Sequence, residues 1–395
     1  NVSKESFWKF PQTDLKFRLS YGKTGNQDGI GNYAWQPLMS GGINYGNNSG
    51  MAVTSMGNNK LTWETADQYD FGFDLGFWNG KLNMIADIYL KNTNNLLYSM
   101  PLHGTSGFTS ITSNIGSMRN YGVEFSINGH LNIGKVNWTS SFNISHNKNK
   151  LTKLLGDDLL PIGSNRALKV GEELGAFYLF QMDGLYQYDG EVPQPLYDLG
   201  VRAGDVKYHD ADNNGIINDN DRVLTGSSNP DFFGGWNNTF KYKGFQLDVF
   251  FTYMYGNDVY AEWAVTATRP GYRMAITEDV AKNRWTAPGS SDKYPRAVNT
   301  LCGHNSKNST RFLEDGSFIR LRSLTFSYTF PQVMLQKICL KGLRLYVQGD
   351  NLLLFSKYSG WDPEVSKNMD PQYFGVDLYG VPPSRSVNFG INLSF

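Results

Sequence analysis

The residues with the clearest chemical potential form one acidic segment, DADNNGIINDND, at positions 210–221. Its oxygen-bearing side chains follow the twelve-position pattern of a calcium-binding loop, with Gly215 at the sixth position, where the chain must turn. We therefore predict a Ca²⁺ site whose ligands are, at positions one, three, five, seven, nine and twelve, Asp210, Asp212, Asn214, the carbonyl of Ile216, Asn218 and Asp221. Because Asp221 replaces the longer glutamate of the pattern, weak binding or tolerance of Mg²⁺ is expected.

No helical pattern flanks this acidic loop, since GDVKY precedes it and the turn-rich NPDFFGG follows it. A calcium switch that moves two helices is therefore not predicted. The favoured interpretation is a structural ion that holds a long loop together. The alternative is a solvated acidic turn without an ion, because closely spaced carboxylates repel one another unless a cation or water relieves them.

Aromatic residues in other polar segments form a second candidate site, because aromatic faces beside Asn, Asp and Arg suit sugar rings or peptide side chains. The predicted substrate-binding residues are Trp263, Tyr272, Trp285, Tyr294, Trp361 and Tyr379. Packing of the segments against one another is the alternative for each of them. The five histidines lack zinc spacing, and the chain shows no nucleophile elbow, phosphate loop or dinucleotide fingerprint. We predict no catalytic residues and no enzyme activity.

Composition favours strands and turns over helices. The 395 residues carry no formal net charge, and 14% of them are aromatic, with 42 glycines. A neutral chain lacks the basic footprint of nucleic-acid binding. The two cysteines, Cys302 and Cys339, exclude a disulfide scaffold, and we predict that they lie at opposite ends of the molecule and stay unpaired.

Strict alternation of apolar and polar residues recurs along the whole chain. In the C-terminal segment SVNFGINLSF, the residues Val387, Phe389, Ile391, Leu393 and Phe395 share one face. This period of two is the signature of a strand with one apolar face. About ten such strands are predicted, with a bulge near Arg322 and Ser323, where the phase changes.

The connections between these strands differ in length at the two ends. Short turns at residues 79–81, 133–135, 243–244 and 331–342 alternate with long polar segments at 26–66, 93–116, 150–230, 259–315 and 356–384. A soluble β-sandwich would also alternate, but it has no reason to place every long loop at one end. An outer-membrane β-barrel has short periplasmic turns and long extracellular loops. We predict an all-β, transmembrane antiparallel barrel wall.

Several segments resemble the SusC/RagA-type TonB-dependent transporters of Bacteroidetes outer membranes. These include LKFRLSYGKTGNQ at 15–27, VGEELGAFYLFQMDGLYQ at 170–187, the acidic loop with its flanks, FIRLRSLTFSYTFP at 318–331 and the terminal SVNFGINLSF. The resemblance covers almost the whole of residues 1–395, but only the C-terminal part of the family pattern. Family members have a 22-stranded barrel, so the resemblance implies that the plug and the earlier strands come from a polypeptide portion absent from this chain.

The resemblance also implies the function and the partners. It implies a bacterial outer-membrane protein that imports oligosaccharide or peptide nutrients with energy from TonB, which acts through the absent portion. A SusD-like surface lipoprotein would close over the loops, in a dimer of transporter–lipoprotein pairs, and outer-membrane lipid would surround the barrel. A passive porin, a surface adhesin and a siderophore-type TonB-dependent receptor remain as alternatives.

Overall fold

The computed structural model describes residues 1–156, 159–272, 274–298, 303–336, 340–370 and 373–395. Cys302 and Cys339, which were predicted to stay unpaired, lie outside these residues. The described strands are β1 (Thr13–Asn26), β2 (Leu38–Gly41), β3 (Met51–Ser55), β4 (Glu64–Phe77), β5 (Leu82–Pro101), β6 (Ser110–Ile133), β7 (Val136–Leu154), β8 (Leu159–Ile162), β9 (Arg166–Lys169), β10 (Ala176–Phe180), β11 (Met182–Leu185), β12 (Val206–Tyr208), β13 (Arg222–Ser227), β14 (Phe232–Tyr242), β15 (Phe245–Tyr255), β16 (Asp258–Tyr260), β17 (Leu313–Asp315), β18 (Phe318–Thr329), β19 (Gly342–Ser356) and β20 (Ser386–Ser394).

Helices are short and lie outside the long strands. The described α-helices are α1 (Gln194–Asp198), α2 (Ala264–Ala267), α3 (Glu278–Asn283) and α4 (Gln332–Leu335). Single 3₁₀ turns occupy Val2–Lys4, Gly104–Ser106, Asp189–Glu191, Asp219–Asp221, Gly303–Ser306, Thr310–Phe312 and Lys367–Met369. Among the described residues, no helix has the length and apolar character that crossing a membrane would require.

Ten long strands form one antiparallel sheet in the order β1-β4-β5-β6-β7-β14-β15-β18-β19-β20. Each strand pairs with the next long strand along the chain, so the sheet is a continuous up-and-down meander. Within the described residues, β1 and β20 each have one neighbour in this sheet and leave one edge free. The prediction of about ten long strands is confirmed, and the sheet is an open part of a barrel.

The apolar face of this sheet is its exposed face, the reverse of a soluble protein. The large apolar residues that remain exposed there include Phe17, Leu19, Tyr21, Phe71, Ile88, Val123, Trp236, Phe326, Val387, Phe389 and Ile391. Soluble proteins rarely leave so large a contiguous apolar surface in water. The predicted bulge is confirmed, because pairing of β18 with β15 and β19 shifts register between Leu321 and Ser323.

The shortest turns lie at one end of the sheet and the longest connections at the other, as predicted, but the boundaries of two predicted loops are wrong. Residues 93–116 were predicted as a loop, whereas β5 continues to Pro101 and β6 starts at Ser110. The β7 strand likewise extends to Leu154, beyond the predicted start of the 150–230 loop. Polar Asn, Thr and Ser residues end the apolar alternation there, but the backbone ladder between neighbouring strands needs no apolar face and continues.

Three of the long connections fold together into a unit that we call the loop cap, made of the described residues within 155–231, 256–317 and 357–385. It contains the four-stranded sheet β13-β10-β9-β8 and the pairs β11-β12 and β16-β17. Its main apolar core joins Phe177, Tyr260, Phe312, Tyr358 and Val376 from all three connections. A second core surrounds Val206 and Tyr208. Apart from Leu335 in α4, the largest fully buried side chains of the described residues therefore lie in the cap rather than in the ten-stranded sheet.

Candidate functional site

The concave, polar face of the sheet, which we call the inner wall, carries a network of charged side chains. Arg18 on β1 donates from Nε to Asp74 Oδ1 at 3.0 Å and from Nη2 to Asp87 Oδ2 at 3.0 Å. Ser20 donates to Asp70 at 3.0 Å, and Thr239 donates to Asp248 at 2.6 Å. The alternation places these residues on one face, so the inner wall is polar while the outer face is apolar.

The contact from Arg18 to Asp87 reaches across a whole strand, and a glycine on that strand makes room for it. Arg18 pairs with Gly72 on β4, and Gly72 pairs with Asp87 on β5, so Arg18 must reach across the middle strand. A Cβ at Gly72 would collide with Asp87 Oδ1 and would lie 2.9 Å from Arg18 Cζ. The missing side chain at Gly72 therefore makes room for the ion pair that ties three strands together.

The acidic loop has the compact geometry that its sequence predicts. Asp210 accepts hydrogen bonds from the backbone N–H groups of Asn214 at 3.1 Å and Gly215 at 2.7 Å. Asp221 is fully buried and accepts from Ala211 N at 2.9 Å and Asn218 N at 2.7 Å. Gly215 adopts φ +78°, which glycine adopts without strain. The first and last carboxylates of the loop therefore accept hydrogen bonds from the loop's own backbone and hold it in a compact shape.

The spacing of the carboxylates fits one cation. Single oxygens of Asp210, Asp212 and Asp221 lie within 4.8 Å of one another. Two ligands on opposite sides of Ca²⁺ would be about 4.6–5.2 Å apart, given ligand distances of about 2.3–2.6 Å. Hydrogen bonds from the Gly215 and Asn214 backbone also lower the pKa of Asp210, so this carboxylate stays ionised. The donor set is made of hard oxygens, the kind that Ca²⁺ prefers.

The segments around the acidic loop agree with a static role. β12 precedes the loop, the 3₁₀ turn Asp219–Asp221 forms its last three positions, and β13 follows it directly. Ile217 in the loop is buried in the second core of the cap, whereas Ile216 is exposed. The apolar anchor at Ile217 fixes the loop to the cap and leaves no pair of flanking helices to move.

The six predicted aromatic residues divide into two groups by exposure. Tyr294 is buried and donates to Asp279 at 2.6 Å, and Trp285 donates from Nε1 to Gln187 at 3.1 Å. Trp263 donates from Nε1 to Tyr358 Oη at 3.0 Å. The Arg269 guanidinium carbon lies 4.5 Å from the centre of the Tyr272 ring. These four side chains pack within the cap, as the alternative interpretation states.

Trp361 and Tyr379 differ from the other four because their side chains face solvent. Trp361 is 80% exposed and Tyr379 is 59% exposed, with its hydroxyl 2.6 Å from Thr266 Oγ1. Both lie in the connection between β19 and β20. Substrate contact by the six residues stays a prediction, and these two have free ring faces for it.

Sequence reasoning missed two buried arginines, one on the sheet strand β18 beside the cap and one in the cap itself. Arg320 on β18 donates from Nη2 to both oxygens of Asp362, at 2.6 and 2.8 Å, and both side chains are almost completely buried. Arg166 on β9 is buried next to an apolar cavity. An arginine within an alternating strand is read as solvent-facing, and its partner is 42 residues away in the first case. No local signal in the sequence identifies either site.

Comparisons with known proteins give a consistent family likeness. The family described as "TonB dependent receptor-like, beta-barrel" matches residues 7–352. TonB-dependent receptor P3 of Formosa agariphila is 33% identical over 417 aligned residues, which cover 100% of this chain and 41% of that protein. TonB-dependent receptor SusC of Bacteroides thetaiotaomicron is 28% identical and aligns with 100% of this chain and 39% of its own length.

The solved structure of the RagAB peptide transporter has a similar fold. It matches with a TM-score of 0.85 and 26% identity, over 100% of this chain and 42% of the RagAB chain. A RagAB peptide importer in the "open-open" state matches with a TM-score of 0.82. The chain thus spans about two fifths of the length of the relatives and structures that it matches.

Proposed function

The chain belongs to the TonB-dependent receptor-like β-barrel family, and on this premise we propose that it forms the C-terminal wall and the loop cap of an outer-membrane importer. One observation carries the proposal: the ten-stranded sheet has an apolar exposed face, a charged inner wall and its four longest connections at one end. In a bacterial outer membrane, the apolar face contacts lipid and the loop cap is extracellular.

The free edges of β1 and β20 support a larger barrel. Unpaired backbone N–H and C=O groups facing hydrocarbon cost several kcal/mol each, so open sheet edges do not occur in lipid. We propose that the remaining strands and the plug belong to the N-terminal portion of the same transporter, through which TonB delivers energy. This chain supplies the wall and the loops and performs no chemistry.

The proposed cargo is an oligosaccharide or a peptide, captured between the loop cap and a SusD-like surface lipoprotein. RagAB, to which the chain is similar, is a peptide importer. We further propose that two pairs of barrel and lipoprotein form a dimer. The exposed rings of Trp361 and Tyr379 offer stacking surfaces to sugar rings or apolar peptide side chains.

Uptake by living cells tests the proposed import. Cells that produce the full-length protein and its lipoprotein should accumulate a fluorescent oligosaccharide or peptide, and deletion of TonB should abolish this uptake. Uptake that persists without TonB would identify a passive porin, and no uptake of either cargo would favour an adhesin. Competition by iron-siderophore alone would favour the siderophore receptor.

Aromatic variants test the proposed cargo contact. Trp361→Ala and Tyr379→Ala should raise the cargo concentration for half-maximal uptake by up to about ten-fold, because a contact with an aromatic ring contributes about 0.5–1.5 kcal/mol. Trp78→Ala serves as the control, since Trp78 is also exposed but lies at the short-turn end of the sheet. Unchanged uptake in both loop variants would show that these rings do not bind cargo.

The acidic loop is proposed to bind one structural Ca²⁺ through the six predicted ligands. The three clustered carboxylates and the static surroundings of the loop support this proposal. Calorimetric titration of metal-stripped full-length protein should detect Ca²⁺ binding that Asp210→Asn and Asp212→Asn remove. Asp219→Asn is the control, because it removes the same charge from a position outside the ligand pattern. Absence of heat at millimolar Ca²⁺ would leave a solvated turn.

A further inference from the structure

A cavity of about 330 Å³ lies between the loop-end halves of β5, β6 and β7 and the cap strand β9. Its walls are mainly apolar and include Leu96, Leu97, Ile115, Leu151, Leu168 and Leu174. The space corresponds to roughly ten water molecules at the liquid volume of about 30 Å³ each. An apolar chamber of this size suits a small molecule with an apolar body rather than a sugar, whose hydroxyls would lose their hydrogen bonds.

One full positive charge faces this apolar chamber. Arg166 lines the cavity and is only 9% exposed. Its Nη2 donates to Ser228 Oγ at 3.2 Å and to the carbonyl of Phe374, while its guanidinium carbon lies 4.8 Å from the centre of the Phe177 ring. These contacts fix Nη2 on the cavity wall, while the hydrogen bonds found for the guanidinium among the described residues leave Nη1 unused.

One donor of Arg166 has no acceptor in the described part of the chain. Its Nε is buried and makes no hydrogen bond there, and no ion pair is found between Arg166 and a carboxylate of the described residues. Burying an unpaired charge is costly, so buried arginines are normally paired. Arg320, by contrast, has Asp362 as its partner in the same cap.

The charge itself persists at neutral pH. Desolvation by burial lowers the pKa of Arg166 to about 10, which still leaves the guanidinium protonated at pH 7. A neutral ligand would therefore leave the cost of the buried charge in place, whereas an anion would offset it. A carboxylate matches the two parallel donors of a guanidinium better than a spherical anion does.

We propose that this cavity binds a small amphipathic carboxylate, with its anionic head on Arg166 and its apolar body among the leucines. The carboxylate is either that of a free acid or the C-terminal group of a peptide that ends in an apolar residue. This site lies apart from the acidic loop and from Trp361 and Tyr379. It therefore adds a ligand site to the importer that the import proposal does not require.

Calorimetry on the full-length protein in detergent tests the site with two pairs of probes. Hexanoate and acetyl-leucyl-leucine carry the carboxylate, and hexanamide and acetyl-leucyl-leucinamide are their neutral counterparts. We expect at least one carboxylate to bind about ten-fold or more tightly than its amide, the size expected for charge-assisted hydrogen bonds. Binding of hexanoate supports a free acid, and binding of the dipeptide alone supports a peptide terminus.

A set of variants distinguishes loss of the Arg166 guanidinium from loss of the folded structure. Arg166→Gln should remove the preference for carboxylate over amide, while Arg119→Gln, which changes an exposed arginine on β6, should not. The double variant Ile162→Trp and Leu174→Trp narrows the cavity from two sides without altering the guanidinium and should weaken carboxylate binding about ten-fold or more even if Arg166→Gln fails to fold. Equal affinity for acid and amide, wild-type affinity in the double tryptophan variant, or no binding of either carboxylate at about 10 mM would overturn the proposal.

Discussion

The buried ion pair between Arg320 and Asp362 joins the end of β18 to the last connection of the loop cap. Both side chains are nearly inaccessible, and Asp362 also accepts from the backbone N–H of Glu364 at 2.8 Å. Asp362→Ala removes the carboxylate and leaves the guanidinium of Arg320 inside the protein. The only acidic group then in reach among the described residues is Glu364, whose Oε2 lies 3.6 Å from Arg320.

The cost of this change follows from the burial. Removing one partner of a buried pair costs about 3–5 kcal/mol, and we take the lower value, because Glu364 compensates in part. Loss of about 3 kcal/mol corresponds to a population of opened cap roughly a hundred times larger. An exposed pair gives the contrast: Lys282 and Glu278 lie on the surface of α3, where removal of a partner costs well under 1 kcal/mol.

Hydrogen exchange measured by mass spectrometry on the full-length protein provides the assay. In Asp362→Ala, amides of residues 357–385 should exchange about a hundred-fold faster, while amides of β5 and β6 keep their wild-type rates, because the cap opens as a local unit. Glu278→Ala should leave both regions unchanged. Wild-type exchange in residues 357–385, or equal acceleration throughout the sheet, would refute the reasoning.

Two further predictions concern the inner wall and the cap. Gly72→Val should displace Arg18 from Asp87 and lower the free energy of unfolding by about 1–2 kcal/mol, measured by thermal unfolding. Gly22→Val should not, because its added Cβ meets no atom within 4 Å. Equal effects of the two variants would contradict the role of Gly72. Burial lowers the pKa of His304, so the folded state binds fewer protons than the unfolded state. The free energy of unfolding should therefore fall as the pH drops from about 6.5 through this lowered pKa. Proteolysis near residues 303–312 should therefore accelerate between pH 7.5 and 5 in the wild type but not in His304→Gln, and pH-independent cleavage of the wild type would contradict this.

The strands were predictable because their information is local. Alternation with a period of two fixes both the strand and its apolar face, and the phase change at Arg322 located the bulge correctly. The loop over residues 93–116 was predicted wrongly because the ladder of backbone hydrogen bonds continues after the apolar pattern ends. Apolar patterning reports contact with lipid, and strands that extend into water keep their pairing without it.

The core of the cap could not be predicted from the sequence, because its contacts join distant parts of the chain. Phe177 packs against Tyr260 with ring centres 6.0 Å apart, and Tyr260 N donates to the carbonyl of Gly375 at 2.8 Å. Each of these residues lies in a different connection, so no window of sequence contains the core that they form. The acidic loop was found from sequence because all its oxygen donors lie within twelve residues.

Lipid contact along the strands tests the central claim most directly. Nitroxide labels at Leu19, Ser20, Asn388 and Phe389, in a full-length cysteine-free background reconstituted in lipid, report which face meets hydrocarbon. The side chains of Leu19 and Phe389, 83% and 82% exposed on the apolar face, should be accessible to dissolved oxygen and shielded from a water-soluble nickel reagent. Ser20 and Asn388 should show the reverse. Equal accessibility of neighbouring positions, or oxygen contact on the polar face, would contradict a barrel wall with lipid outside and water inside.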